Sequence, residues 1–255
     1  MTSLITHDLA AATRPATEAL FAVGVVVPVR DEEERVARAV RSVRRALAHA
    51  DLVDACVVVV ADSCTDQTVR IARRELGADG VVIEVAHANV GAARAEGSLE
   101  VMRRLGGPPR WTWLLGIDGD SEAATDWVRR HLEHAHGGIE CVSGIVDLDG
   151  RAPAALRRSF RERYGSTVGS DRHDHIHGTN FGIRADTLLA AGNWPRLRSG
   201  EDRALWAKVA ERSRPMAQDP AIVVSTSSRT EGRAPSGFAA DLASLTVSCP
   251  TGGHP

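Results

Sequence analysis

The most informative stretch of this sequence is Leu114-Leu115-Gly116-Ile117-Asp118-Gly119-Asp120-Ser121. An apolar run ends at Ile117, and two aspartates follow with one glycine between them. Residues i and i+2 at a strand end point the same way, and Gly119 lets the backbone turn without a Cβ in the way. Two convergent carboxylates suit a hard cation such as Mg²⁺ or Mn²⁺, which prefers oxygen ligands. A solvated turn is the alternative for this motif taken alone.

Working outward, the chain alternates apolar runs with amphipathic segments. β-branched, apolar runs occupy residues 22–29, 55–61, 81–86, 111–117 and 141–146. Helical spacing of apolar residues, or clear start and stop signals, predict helices over about 36–47, 65–76, 91–105 and 124–136. The less regular second half predicts helices over 151–168, 186–191 and 201–211, and short strands over 179–183 and 221–225. This order predicts an α/β fold with a mostly parallel central sheet flanked by helices.

The bulk properties narrow the class of protein. The 255 residues suffice for one domain with a substantial core, and 31 Lys+Arg against 33 Asp+Glu give no reason to expect nucleic acid as a partner. The four cysteines form no CxxC pair, which fits a reduced, cytoplasmic location. No apolar run approaches the ~20 residues that span a bilayer, so we expect no integral membrane segment.

Polar residues follow each of the first four predicted strands, at residues 28–33, 62–68, 89–94 and 118–120. The carboxyl ends of parallel strands share one edge of the sheet, which is where ligands bind in such folds. Helix capping is the favoured role for Thr65 and Asp66 by themselves. Four clusters on one edge favour a binding site.

These residues carry a resemblance to a known family. The ordered segments PVRDEE (28–33), VVVADSCTDQT (58–68), NVGAARAEG (89–97) and GIDGDS (116–121) resemble the nucleotide-sugar-binding half of family 2 glycosyltransferases, which have the GT-A fold. In the second half, HGTNFGIR (177–184) is similar to the acceptor-side segment of the family, and GED (200–202) to its late acidic motif. The resemblance implies a single GT-A domain over residues 22–245, with a nucleotide-sugar-binding half (22–121) and an acceptor-side half (122–245). Residues 1–21 are then an N-terminal extension and 246–255 a flexible tail.

The resemblance also assigns roles on the donor side. Asp118 and Asp120 form the DXD motif that would hold Mg²⁺ or Mn²⁺, with Asp118 also near the ribose. Asp62 would accept a hydrogen bond from the base, and Asp31 or Glu32, which follow Pro28, would lie near the ribose or base. Arg94 would approach the pyrophosphate or the base pocket. A solvent-facing helix arginine is the equally weighted alternative for Arg94.

Acceptor-side roles follow from the second-half motifs. Asp202, with Glu201 as runner-up, would be the general base that deprotonates the acceptor hydroxyl, which implies inversion by single displacement. First-turn acids that favour a helix start are the alternative for both residues. His177 and Asn180 would help to bind the acceptor, and Trp194 is a candidate for stacking on a sugar ring. The stereochemical outcome stays open, because some retaining GT-A enzymes share much of this pattern.

The sequence departs from the family pattern in three places. Ala61-Asp62 offers one acid where many members have two, and the QxxRW signature of processive synthases is absent. The third metal-site residue of some relatives, a late histidine, has no clear counterpart, and Ser225-Thr226-Ser227-Ser228-Arg229 occupies roughly that region. These departures favour addition of a single sugar over polymerisation and make nucleotide binding a firmer expectation than metal dependence.

The sequence therefore predicts a hexosyltransferase that moves one sugar from a UDP- or GDP-sugar to a hydroxyl on a small or lipid-linked acceptor. A non-catalytic sugar-nucleotide-binding or scaffold protein with this fold is the alternative. A sugar nucleotidyltransferase is a weaker one, because residues 30–34 after the first strand are acidic and lack the glycines that would hold a triphosphate. The GxGxxG of nicotinamide dehydrogenases is also absent there.

Overall fold

The computed structural model describes residues 21–52, 54–78, 80–170, 173–230, 238–239 and 242–243. Within them, one sheet contains strands β1 (Ala22–Val29), β2 (Ala55–Asp62), β3 (Gly80–Val85), β4 (Thr112–Gly116), β5 (Ser121–Ala123), β6 (Cys141–Leu148), β7 (Phe181–Arg184) and β8 (Met216–Thr226). The helices are α1 (Val36–Ala48), α2 (Thr68–Leu76), α3 (Val90–Leu105), α4 (Trp127–His136), α5 (Ala154–Gly165), α6 (Ala185–Ala190) and α7 (Glu201–Ala210). The predicted α/β class is confirmed.

The sheet has the strand order β3-β2-β1-β4-β7-β6-β8-β5. The strands β3, β2, β1 and β4 run parallel, because a crossover helix separates each one from the next along the chain. In the second half, β7 runs antiparallel to both β4 and β6, and β5 runs antiparallel to β8, while β6 and β8 are parallel. The sheet is thus mixed, and its uniformly parallel part is the half that the βαβ rhythm predicted.

Helices cover both faces of the sheet. One core layer packs α1, α2 and α4 on the sheet, and the other packs α3, α6 and α7. Successive strand residues point to opposite faces, so Val25 and Val27 of β1 enter the first layer and Val26 the second. This explains why the strands are apolar without strict alternation.

The residue just before β1 belongs to the core. Phe21, which the sequence assigned to the extension, is buried and packs edge-on against Trp111 and Trp113, with ring centroids 5.8 and 6.2 Å away. Residues 1–20 and the predicted tail 246–255 lie outside the described residues. None of the described helices has both the length and the apolar character that crossing a bilayer requires.

Candidate active site

One cavity of about 320 Å³ opens at the carboxyl edge of β1, β2 and β4. The first half contributes the acids that follow those strands, namely Glu32, Asp62, Asp118 and Asp120, together with Pro28. The second half supplies the facing wall, mainly from residues 176–179, 198–203, 226, 227 and 229. The strand-end clusters predicted from the sequence therefore do converge on one cavity.

The Asp118-Gly119-Asp120 turn is anchored from both sides. The Gly119 N–H donates to the Pro28 carbonyl oxygen over 3.3 Å, and the Asp118 N–H donates to Thr179 Oγ1 over 3.0 Å. A Cβ on Gly119 would overlap the Val29 side chain, so the position leaves room only for glycine. The turn holds two carboxylates on the cavity wall.

Asp120 is buried beside other charged groups. Burial raises the pKa of its carboxyl to about 6; Arg229 opposes this shift, while Asp118 and Glu32 add to it. Arg229 Nη2 lies 3.0 Å from Asp120 Oδ2, and Arg229 Nη1 lies 2.6 Å from Glu32 Oε1. Glu32, expected near the ribose or base, thus shares a cation with the second aspartate of the turn.

Arg94 lies behind the cavity wall and does not line the cavity. The guanidinium is 3% exposed, and its Nη2 lies 2.6 Å from Asp118 Oδ1 while Nη1 donates to the Gly178 carbonyl oxygen over 2.8 Å. Its Nε is 3.5 Å from Glu201 Oε1. Burial lowers the pKa of Arg94, but Asp118, Glu201 and Asp202 outweigh burial and raise it. Arg94, expected near the pyrophosphate or the base pocket, thus connects Asp118 to the Gly178 carbonyl oxygen of the second half, and its role toward a donor stays a prediction.

Asp62 lines the cavity but also holds the chain that enters α3. Its Oδ1 accepts hydrogen bonds from the His87 and Ala88 N–H groups, and its Oδ2 from the Asn89 N–H, each over 2.8 Å. Ala88 has a φ of 49°, a conformation that L-residues rarely adopt. The carboxylate therefore stabilises a strained loop at the edge of the cavity.

Asp31 turns away from the cavity. Its Oδ1 accepts hydrogen bonds from the Thr65 and Asp66 N–H groups over 2.7 and 3.3 Å, which joins the loops after β1 and β2. Asp66 Oδ1 in turn accepts from the Thr68 N–H at the start of α2, so its predicted capping role is confirmed. Because this pairing points Asp31 at the neighbouring loop, the structure does not place it with the residues that line the cavity.

Asp202 and Glu201 begin α7 on the facing wall and differ in environment. Asp202 is half-buried, and its Oδ2 accepts a hydrogen bond from the Gly178 N–H over 2.9 Å. Glu201 is 6% exposed beside Arg94, and burial raises the pKa of its carboxyl although Arg94 opposes this. Both line the cavity, and Asp202 is the more accessible of the two.

Of the three predicted acceptor residues, only His177 reaches the cavity. Its Nε2 lies 2.8 Å from the Tyr164 hydroxyl, and burial lowers the pKa of its ring to about 3. Asn180 is fully buried: its amide donates to the Ile145 and Ile222 carbonyl oxygens, and its Oδ1 accepts from Trp127 Nε1.

Trp194 packs against Phe181 and beneath the Arg94 guanidinium, 5.3 Å from the ring centroid. Neither Asn180 nor Trp194 lines the cavity, because both side chains are buried in the interior, and their expected contact with an acceptor stays a prediction.

Sequence reasoning did not single out Arg229 as a site residue. The only signal was its position, in the segment that stands where some relatives have a late histidine. Thr179 and Gly178 were likewise missed as supports, although both lie in the HGTNFGIR motif. Their contacts, to Asp118 N, Asp202 and Arg94, involve mainly backbone atoms, which residue type does not reveal.

Solved structures of low sequence identity share this fold. TarS 1–349 of S. aureus in complex with UDP-GlcNAc is 17% identical with a TM-score of 0.60, covering 86% of this chain and 62% of that one. The mannosyltransferase PcManGT from Pyrobaculum calidifontis, in complex with GDP-Man and Mn²⁺, is 19% identical with a TM-score of 0.55, covering 83% and 58%. The chain thus spans less than two thirds of either relative.

The remaining comparisons concern the family. A search of curated proteins gave no match. A mycobacterial protein structure is 17% identical with a TM-score of 0.57, covering 90% of this chain and 72% of that one. The profile of Glycosyl transferase family 2 matches residues 24–190, which is more than half of the chain. With this match, the GT-A fold of its neighbours and the carboxylate-lined cavity at the strand ends, the chain belongs to glycosyl transferase family 2.

Proposed function

We propose that the chain is a hexosyltransferase that moves a single sugar from a UDP- or GDP-sugar to a hydroxyl acceptor with inversion. The observation that carries the proposal is the single cavity that Asp118 and Asp120, from the first half, line together with Asp202, from the second. A donor site and a base on opposite walls are what an in-line displacement requires. The structures bound to UDP-GlcNAc and GDP-Man support the donor class.

On the donor side, we assign direct contacts to the residues that line the cavity, which are Pro28, Glu32, Asp62 and Asp118. Asp62 Oδ2 accepts one backbone hydrogen bond, so it retains a lone pair for an N–H of the base. Asp31 and Arg94 act from behind, Asp31 by joining two loops and Arg94 by holding Asp118.

A divalent ion, Mg²⁺ or Mn²⁺, fits the oxygen chemistry of the turn. Asp118 lines the cavity with a side chain that is 38% exposed, and its ion pair with Arg94 uses Oδ1. Asp120 supplies the second carboxylate. The described residues contain no cluster of three metal-ligating side chains, so phosphate and water oxygens would complete the coordination. When bound, the ion would neutralise charge on the departing diphosphate.

The protein's own groups would carry the proton transfer. Asp202 is held by the Gly178 N–H and would take the proton of the acceptor hydroxyl as it attacks the anomeric carbon. Burial keeps Glu201 beside Arg94, so it serves as a charge partner there. His177, Arg198 and Arg203 form the nearby wall, where a small or lipid-linked acceptor would lie. The cytoplasm remains the proposed location, supported by the free thiols of Cys56 and Cys141.

The test is thermal stabilisation by UDP-, GDP- and dTDP-sugars, with and without Mn²⁺, on wild type and Asp120→Ala. A ligand at ~100 times its dissociation constant adds about 2.7 kcal/mol to the free energy of unfolding. We expect a Mn²⁺-dependent rise in melting temperature with the sugars of one nucleotide class. This rise should be lost in Asp120→Ala and kept in the control Glu162→Ala, which removes an exposed acid on α5. Absence of a shift with every nucleotide would refute the donor site. Binding without turnover of any acceptor would favour the non-catalytic alternative.

A further inference from the structure

Arg229 bridges two acids in the donor cavity. Its Nη1 is 2.6 Å from Glu32 Oε1, and its Nη2 is 3.0 Å from Asp120 Oδ2. All three residues line the cavity, at the turn where a divalent ion would bind. A protein cation therefore already sits on the second aspartate of the DXD motif.

Of the two acids, Asp120 depends more on this cation. The side chains of Glu32 and Asp120 are only 4% and 10% exposed, whereas that of Arg229 is 26% exposed. Glu32 has a second cationic neighbour, since Arg35 Nη1 lies 3.7 Å from its Oε2, whereas among the described residues Arg229 alone forms an ion pair with Asp120. Removing the positive partner from a buried ion pair leaves an uncompensated charge, which here falls mainly on Asp120. Arg229 can leave at low cost only if another cation replaces it.

The position of Arg229 is built into the fold. It follows β8 by three residues, and β8 pairs with β5, which begins one residue after Asp120. Ser121 Oγ donates to Thr226 Oγ1 over 3.0 Å at this junction, and the Arg229 N–H donates to Ser227 Oγ over 3.3 Å. The strand register thus brings Arg229 to Asp120.

We propose that Arg229 is an internal competitor of the divalent ion for Asp120. In the free protein the guanidinium neutralises Glu32 and Asp120, so the ion alone binds weakly. When a nucleoside diphosphate arrives with the ion, the ion takes Asp120, and the freed guanidinium pairs with a phosphate, for which its planar fork is suited. The identity of this ligand rests on the proposed function, but the competition itself does not.

The experiment is a titration of Mn²⁺ alone, with free Mn²⁺ followed by electron paramagnetic resonance. The proteins are wild type, Arg229→Ala, Arg229→Lys and the control Arg198→Ala, which removes a different arginine from the cavity lining. We expect Arg229→Ala to bind Mn²⁺ at least tenfold more tightly than wild type. Arg198→Ala and the charge-preserving Arg229→Lys should stay within about threefold of wild type.

Equal Mn²⁺ affinity in Arg229→Ala and Arg198→Ala would overturn the proposal. Circular dichroism checks folding, and Arg229→Gln is the neutral variant to use if the alanine variant does not fold. The same proteins are then titrated with UDP and GDP at saturating Mn²⁺, where weaker nucleotide binding by Arg229→Ala than by wild type supports the phosphate contact. Tighter Mn²⁺ binding in a protein that binds no nucleotide would refute the proposed function and leave the competition standing.

Discussion

At the scale of residues, Asp202 is the side chain on which sugar transfer is expected to depend. It is half-buried on the cavity wall and oriented by the Gly178 N–H. Asp202→Asn keeps the shape and removes the basic oxygen, so we expect turnover to fall by ~10²–10⁴-fold. Donor binding, measured by thermal stabilisation, should be unchanged.

The neighbouring acid provides the matched control. Glu201→Gln removes a charge that lies 3.5 Å from Arg94. We therefore expect it to lower the free energy of unfolding, and to reduce turnover much less than Asp202→Asn does. If Asp202→Asn retains wild-type turnover while Glu201→Gln loses it, the assignment of the base is reversed.

The success of sequence reasoning at this scale depended on where polar residues stand. Asp62, Asp118 and Asp120 follow apolar strands, and the shared edge of a parallel sheet brought them together without any knowledge of side-chain direction. Asn180 does not line the cavity, because its amide donates to a carbonyl oxygen in the interior, whereas its neighbour Thr179 contacts Asp118. Residue type indicates polarity, but it does not indicate which wall a side chain faces.

At the scale of elements, the start of α3 sets the distance between the two halves. Gly91 is buried where α3 meets the segment before α7, and a Cβ there would overlap the Pro195 carbonyl oxygen. Because the obstacle is backbone, Gly91→Ala should lower the free energy of unfolding by ~1–3 kcal/mol in urea titrations. Gly107→Ala is the control, since a Cβ there has open space. Equal stability of the two variants would contradict this packing.

Elements with a strong local signal were predicted well. The first four strands and the helices between them come from continuous apolar runs and helical periodicity. β5 was missed because three residues carry no period, and β8 was predicted only over 221–225 because Pro220 interrupts the run. The structure accommodates that proline at an irregularity in the β6–β8 register, next to Gly144 and Ile145.

At the scale of the whole molecule, buried histidines couple stability to pH. Burial lowers the pKa of His131 and of His177 to about 3, whereas an unfolded histidine titrates near 6.5. Between these values the unfolded chain binds more protons, so the free energy of unfolding falls as pH falls below about 6.5. Each of the two histidines should lower the free energy of unfolding by about 2 kcal/mol between pH 6.5 and pH 5.

Urea titrations at pH 7 and pH 5 measure this effect. The free energy of unfolding at pH 7 exceeds that at pH 5, and His177→Gln should reduce this difference by about 2 kcal/mol, because one titrating group is gone. An unchanged difference would show that His177 is protonated equally in the folded and unfolded chains.

The pairing of β5 with β8 has a consequence for how the site comes into being. Ser121 and Thr226 hydrogen-bond across a separation of 105 residues, and Arg229 follows directly behind that contact. During synthesis the Asp118-Gly119-Asp120 turn is therefore made long before the strand that flanks it and the arginine that neutralises it. A ribosome-bound chain that stops short of β8 has every carboxylate of the donor wall and neither of these partners.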